Sequence, residues 1–312
     1  MIFGITMGDS SGVGPEILLK ALAGGLLSVP VKIYGDRAVL ARANRELGFG
    51  VDLDALDIVD HALMREEDVT PGKLNALSGR AAREYVISAA KAALAREIDA
   101  MVTLPMNKEA TQLTDPKFTG HTELIGEVCG SEDVTIMLAS DQLIVTHVST
   151  HCSLREAIER ARPPRIQRII QLTCDAVSRL KTEYRVAVAG LNPHAGENGL
   201  FGDEEILYIA PAVRWAQERG YRVDGPHPPD TLFYAAVRRG KYDAVVCMYH
   251  DQGHIPSKLL DFEGGVNIAL GLPIVRTSVD HGTAFDIAWT GKASATSFVK
   301  AVEFAAKLVR AP

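Results

Sequence analysis

At 312 residues the chain is long enough for two domains of ordinary size, and 47% hydrophobic with 23% charged residues is the make-up of a soluble globular protein. The balance of 33 basic against 39 acidic residues excludes the dense basic surface that follows nucleic-acid phosphates; RARPPRIQRI, the nearest candidate, is short and broken by two prolines. Four scattered cysteines (Cys129, Cys152, Cys174, Cys247) without a CxxC pair suit reduced thiols, and no apolar run reaches the ~18 residues of a membrane span, so a cytoplasmic location with no membrane partner is expected.

The opening MIFGITMGDSSG has no basic leader and turns polar by position 8, unlike a signal peptide. IFGITM reads as a strand, and GDSSGVGPEI after it opens a helix at Pro15, a favoured first-turn residue. This loop matches neither GxGxxG nor GxxxxGK[ST]. Glu16 in the first turn would oppose a phosphate there, so the glycines read as a tight turn, with Asp9 able to reach a ligand. VKIYG is a second strand, and NALSGRAAREYVISAAKAALARE an amphipathic helix. DAMVTLP is a third strand, leading to Asn107 and Lys108.

In FTGHTELIGEV, Gly120, His121 and Thr122 precede a helix whose free N–H groups suit an anion; the competing reading is ordinary capping by Thr122 with Glu123 complementing the dipole. VTIMLASDQLIVTHV reads as two strands around Ser-Asp, a hairpin added to the sheet. His147 and His151 would pair on a helix, but four strand residues cover ~13 Å, so His147 is expected to be structural. SLREAIERA is a helix, RVAVAGL a strand that ends at Asn192 and His194, and EEILYIAPAVRWAQERG a further helix. DAVVCMY runs into His250 and Asp251, with a turn expected at Gly253 and His254 just beyond it, facing either the site or solvent. Lys258, Asn267 and Arg276 follow in PSKLLDFEGGVNIALGLPIVRTS. Arg276 lies in an apolar context where an unpaired guanidinium is costly, which raises its functional weight. SATSFVKAVEFAAKLVR is the last helix.

Strands alternating with helices imply βαβ units and a mostly parallel sheet with helices on both faces. No repeat or long linker divides the chain, so a cleft between two rigid halves is the expected place for a site. In such sheets ligands bind outside the carboxyl ends of the strands. That filter selects Asp9, Asn107, Lys108, His151, Asn192, His194, His250 and Asp251. His151, His194 and His250 come from three strand ends; each alone reads as a hydrogen-bonded loop histidine, while the three together could hold a catalytic divalent metal with open positions. Lysine and arginine nearby would recognise an anionic substrate.

The blocks FTGHTE, GLNPHAGENGLFGDEE, GP…PDTLF, MYHDQG and VNIALGLPIVRTSVDHGTA, in this order, resemble the 4-hydroxythreonine-4-phosphate dehydrogenase family of vitamin B6 (pyridoxine) biosynthesis, including its paralogues on four-carbon sugar-acid phosphates. The resemblance covers nearly the whole chain. It implies one divalent metal (zinc, or magnesium, cobalt or manganese) on His151, His194 and His250, and substrate contacts at His121, Thr122, Lys258, Asn267 and Arg276. It also implies a homodimer with the active site at the interface and metal ligands shared between subunits. The reaction implied is NAD-linked oxidation and decarboxylation of 4-phosphooxy-L-threonine to 3-amino-2-oxopropyl phosphate. The alternative is a D-threonate or D-erythronate 4-phosphate dehydrogenase; a metal-dependent lyase or hydrolase without NAD is more remote, and a sugar-phosphate-binding module without turnover is a third class. VDHGTAFDIAWTGKA is similar to the nucleotide loop of isopropylmalate and isocitrate dehydrogenases, which implies NAD or NADP contacts at His281, Gly282, Thr283 and Asp286 in a two-domain α/β/α fold without a Rossmann fingerprint. Trp289 and Thr290 stand where Gly-Lys is usual in that loop. On this analogy residues 1–118 and 270–312 form a first, cofactor-side domain and 119–269 a second, metal and dimer side. Two departures bear on the substrate: Ser10-Ser11-Gly12, where the B6 members commonly have Pro-Ala-Gly, and His254, where they usually have an apolar residue and where a polar group resembles the sugar-acid paralogues. Lys108 is the expected proton-transfer group, and Asp251 the residue that orients a metal-binding imidazole.

Overall fold

The computed structural model describes residues Met1–Arg310. Its strands are β1 (Phe3–Thr6), β2 (Val31–Gly35), β3 (Asp57–Asp60), β4 (Ala100–Thr103), β5 (Thr135–Ala139), β6 (Ile144–His147), β7 (Val186–Ala189), β8 (Val223–His227), β9 (Ala244–Cys247), β10 (Val266–Leu270) and β11 (Arg276–Val279). Two compact units emerge, one of Met1–Val134 with Gly271–Arg310 and one of Thr135–Leu270.

In the first unit the strand order is β3-β2-β1-β4-β11, and each of these pairs is parallel. β1 and β4 are buried at every position, as strands covered on both faces must be, and they read as unbroken apolar runs. Phe3, Ile5, Met101, Tyr85 and Phe298 are almost fully enclosed, the last two from the helices Ala76–Leu94 and Thr296–Arg310. Each such side chain contributes about 1.5–3 kcal/mol over its exposed state. The edge strand β3, sequence DIVD, escapes a reading by hydrophobicity because both of its ends are exposed aspartates.

In the second unit the order is β10-β5-β6-β9-β7-β8. The expected hairpin is present: β5 and β6 are antiparallel, and β10 also runs antiparallel to β5. β6, β9, β7 and β8 are mutually parallel. Leu138, Val145, Ala187, Val245, Cys247 and Leu232 form its core. This unit exposes several large apolar side chains, among them Leu200 (72%), Leu259 (84%) and Phe262 (73%). Among the described residues no helix is long and apolar enough to cross a membrane.

Candidate active site

In the first unit, β4 is followed by Leu104 and later by the helix His121–Cys129. The N-cap of that helix is Gly120, with no side-chain cap, so the expected capping by Thr122 does not occur; His121 and Thr122 lie inside the first turn. The uncapped turn leaves N–H groups suited to an anion. The His121 ring bonds the Leu104 carbonyl, and its Nε2 is buried without a partner. Because a carbonyl can only accept, the ring proton belongs on Nδ1 and Nε2 carries the lone pair. Burial, helped by the neighbouring Arg276 charge, pushes the His121 pKa down to about 3.

Arg276 opens β11 and is 3% exposed. Its Nη2 donates to Thr103 Oγ1 at 2.6 Å, while Nε has no partner. Burial pulls its pKa down to about 10, partly offset by the Glu123 carboxylate. The open Arg276 Nε donates to an oxyanion, whereas the His121 Nε2 lone pair can only accept and is completed by a hydroxyl.

Other expected residues of this unit are placed differently. Asp9 is fully buried, accepts through Oδ1 from Ser78 Oγ and from Ser11 N (2.8 Å), keeps Oδ2 without a partner, and has its pKa raised by burial. Ser10 and Ser11 also turn inward, Ser10 Oγ meeting Ser78 Oγ at 2.7 Å and Ser11 Oγ meeting Thr70 Oγ1 at 3.4 Å. The serines therefore belong to a buried network. Asn107 caps the short helix Lys108–Gln112 by accepting from Ala110 N at 2.8 Å. Lys108 itself is exposed, so nothing within the chain supplies the desolvation expected of a lysine base.

The loop after β11 packs on the turn after β1. Thr283 is buried, its carbonyl accepting from Val13 N (3.0 Å) and its hydroxyl lying 3.4 Å from Asn107 Nδ2. A Cβ on Gly12 would come within 2.9 Å of Thr283. His281, Gly282 and Asp286 are exposed, and Gly282 has open space around it, leaving its backbone accessible to a nucleotide. Trp289 keeps the left-handed conformation (φ 60°) that the usual glycine would adopt without cost. Its indole N–H donates to Ser10 O at 3.1 Å, and the Arg42 guanidinium lies 5.5 Å from its ring, so side-chain contacts hold the strained backbone.

In the second unit, β9 runs directly into the helix His250–Leu260. The turn expected at Gly253 is absent; Gly253 is helical, and a Cβ there would lie 2.5 Å from His147 Nε2 and 2.8 Å from Cys247 Sγ. Glycine is needed to seat the helix on β6 and β9. His254, one helical turn from His250, stacks on it with ring centres 3.6 Å apart and planes at 8°. His250 Nδ1 meets Asp251 Oδ1 at 2.7 Å, so Nδ1 carries the proton and Nε2 the lone pair. His147, fully buried at the end of β6, places Nε2 3.2 Å from His254 Nδ1. Gln252 fastens the helix start, accepting from Met248 N at 2.7 Å and donating to Gly190 O at 2.8 Å. Sequence reasoning left His254 open and set His147 aside. The available signal was the i, i+4 spacing of His250 and His254, which places both on one helix face.

His151 lies with this group, its ring centre 5.7 Å from His250. His194 does not join it: the loop His194–Asn198 has positive φ throughout, and His194 faces Phe201 (6.2 Å) and Asp230 (Nδ1–Oδ2 3.8 Å). Among the described residues no three His, Cys, Asp or Glu side chains are gathered as a metal-binding group. The donor chemistry still suits a divalent ion, since His250 and His194 each place Nδ1 toward a carboxylate. Asn192 is structural: its N–H and side-chain amide bond the buried Glu205 at 2.7 and 3.0 Å. Lys258 sits over the Phe262 ring at 5.2 Å. Asn267 Oδ1 and Ser257 Oγ are buried without partners, and Ser257 was not anticipated from sequence.

The chain is similar to known proteins along nearly its full length. Residues 14–305 match the family described as pyridoxal phosphate biosynthetic protein PdxA. A D-threonate 4-phosphate dehydrogenase of Salmonella typhimurium is 44% identical, with 97% of this chain and 98% of that protein covered. A 4-hydroxythreonine-4-phosphate dehydrogenase of Desulforapulum autotrophicum is 42% identical, with 98% and 94% covered. The crystal structure of a 4-hydroxythreonine-4-phosphate dehydrogenase from Klebsiella pneumoniae superposes with a TM-score of 0.86 at 42% identity, over 99% of both chains. A β-decarboxylating dehydrogenase from Thermococcus kodakarensis, 14% identical with a TM-score of 0.51 over 98% of this chain and 82% of that one, shares the fold, as the two-domain α/β expectation requires. On the extent and identity of these matches, the chain belongs to the PdxA family.

Proposed function

We propose that the protein is a dehydrogenase acting on the CH–OH group of a 4-phosphorylated four-carbon hydroxy acid, the class named by its relatives. One observation carries the reading. Among the described residues, eight buried side-chain polar atoms lack a hydrogen-bond partner, and His121 Nε2, Asn267 Oδ1 and Arg276 Nε are three of them. All three belong to residues expected to touch substrate, and buried polar atoms left open in this way are costly unless a ligand completes them.

Arg276 takes the phosphate beside the uncapped helix turn, Lys258 adds a point charge, and His121 Nε2 and Asn267 Oδ1 accept from hydroxyls of the bound substrate. A divalent ion supplies a Lewis acid at the reacting hydroxyl, and NAD or NADP supplies the hydride acceptor. Asp251 holds the His250 ring with its Nε2 lone pair outward. Lys108 takes the hydroxyl proton once substrate and neighbouring chain enclose it. His281, Gly282, Thr283 and Asp286 form the nucleotide loop, with Thr283 fixing it to the turn after β1. The protein works as a homodimer through the apolar surface of the second unit, His194 of one copy completing a site with His151 and His250 of the other. That surface includes Leu154, Leu200, Ile255, Leu259 and Phe262, 63–84% exposed.

His254 favours D-threonate 4-phosphate over 4-phosphooxy-L-threonine, because a polar ring at this position resembles the sugar-acid paralogues. The test is absorbance at 340 nm with NAD, Zn2+ or Mg2+, and each of the two phosphates. NADH formation with either supports the dehydrogenase, and the ratio of kcat/KM values assigns the substrate. Consumption of both phosphates without NADH would make the protein a lyase or hydrolase instead.

A further inference from the structure

Three imidazoles and one glycine in the second unit form an arrangement that the three-histidine metal set does not by itself require. His254 Nδ1 lies 3.1 Å from the His250 carbonyl and 3.2 Å from His147 Nε2. The His147 ring also reaches the His250 carbonyl, so the carbonyl, His147 Nε2 and His254 Nδ1 are held together by one N–H between the two rings. His147 Nδ1, on the far side of its ring, is buried without a partner. The plane of His254 is thus fixed from behind by a fully buried ring, and its face lies flat on His250. Gly253 is the residue that permits this, since any side chain there would strike His147.

We propose that His254, anchored by His147, is a positioning residue for His250. Asp251 fixes one edge of the His250 ring and His254 fixes its plane, so the Nε2 lone pair is held in one direction before any ion arrives. Pre-orientation lowers the rotamer entropy lost when a ligand binds. The inference rests on the reading of His250 as a metal ligand.

The test is cobalt(II) titration of the full-length protein, followed by its visible absorption band, for the wild type, His254→Leu, His254→Phe and His250→Ala. His254→Leu removes both the anchor and the flat face, and a 10- to 100-fold weaker affinity is expected, the usual cost of losing an outer-shell partner. His254→Phe keeps the flat face and loses the anchor, so it should recover part of that loss and bind between the wild type and the Leu variant. Unaltered affinity in His254→Leu, or equal losses in the Leu and Phe variants, overturns the positioning role. If His250→Ala binds cobalt as the wild type does, the metal reading falls and the positioning role with it. Nitrogen-15 histidine spectra of the metal-free wild type give a readout that needs no variant: one of His254 Nδ1 and His147 Nε2 should carry a proton and the other a lone pair, and two protons or two lone pairs there overturns the anchor.

Discussion

Arg276→Met should make the unliganded protein more stable while removing its hold on phosphate. The wild-type guanidinium is almost fully enclosed, with one hydrogen bond to Thr103 and an unpaired Nε. A fall in its pKa from 12.5 to about 10 means that burial disfavours the charged form by roughly 3 kcal/mol. The lost hydrogen bond returns about 1 kcal/mol of that. Methionine fills similar volume without charge, and such replacements are often stabilising by about 1–4 kcal/mol. A net gain of about 1–2 kcal/mol is expected, or roughly 2–6 °C in the unfolding midpoint for a unit of this size. Scanning calorimetry with and without millimolar inorganic phosphate is the assay. Phosphate should raise the wild-type midpoint by mass action and leave the variant unmoved. A variant less stable than wild type by more than about 1 kcal/mol, or one still protected by phosphate, would refute the argument that Arg276 is held under-paired for an anion.

Three further outcomes follow from the geometry. His121 is neutral when folded because burial lowers its pKa to about 3, so its contribution is complete above its unfolded pKa near 6.5 and is lost as pH falls from there toward 3. The full effect would be about 5 kcal/mol, and partial exposure of the ring reduces it to roughly 2; urea unfolding at pH 7 and pH 4.5 should show a smaller acid loss in His121→Asn, and identical pH dependence would contradict the assignment. Gly253→Ala forces a Cβ to within 2.5 Å of His147 and 2.8 Å of Cys247, and a loss of about 1–3 kcal/mol is expected by thermal unfolding; a neutral result would mean the helix is not seated as described. Leu259→Asp places a charge on an 84% exposed apolar site and should shift sedimentation from dimer to monomer with little change in far-UV circular dichroism; a variant that sediments as the wild type would move the interface elsewhere.

The parts of the fold that were legible were the strands buried on both faces. IFGITM, DAMVTLP and DAVVCMY are mostly apolar, with no alternation of polar and apolar residues, as strands buried at every position are. β3 and β8 were not legible: one is an edge strand ending in aspartates, the other carries Gly225 and Pro226, which strands usually avoid. Arg276 could be singled out because a guanidinium after an apolar run is a local anomaly. Asp9 and Asn192 satisfied the same strand-end filter yet serve the fold, since their partners (Ser78 for one, Glu205 for the other) are distant in sequence. Gly253 misled because a helical glycine chosen for close approach looks like a turn. The stack of His254 on His250 follows only once that segment is known to be helical.

The central claim is that imidazoles from two chains complete one site, with His151 and His250 together and His194 from the other copy. His194→Ala and His250→Ala should each be inactive alone. When the two are mixed in equal amounts and allowed to exchange subunits, half the dimers are hybrids with one intact site each, so about one quarter of wild-type activity should return. Mixtures that exchange subunits but stay inactive would show that the three histidines do not act across two chains.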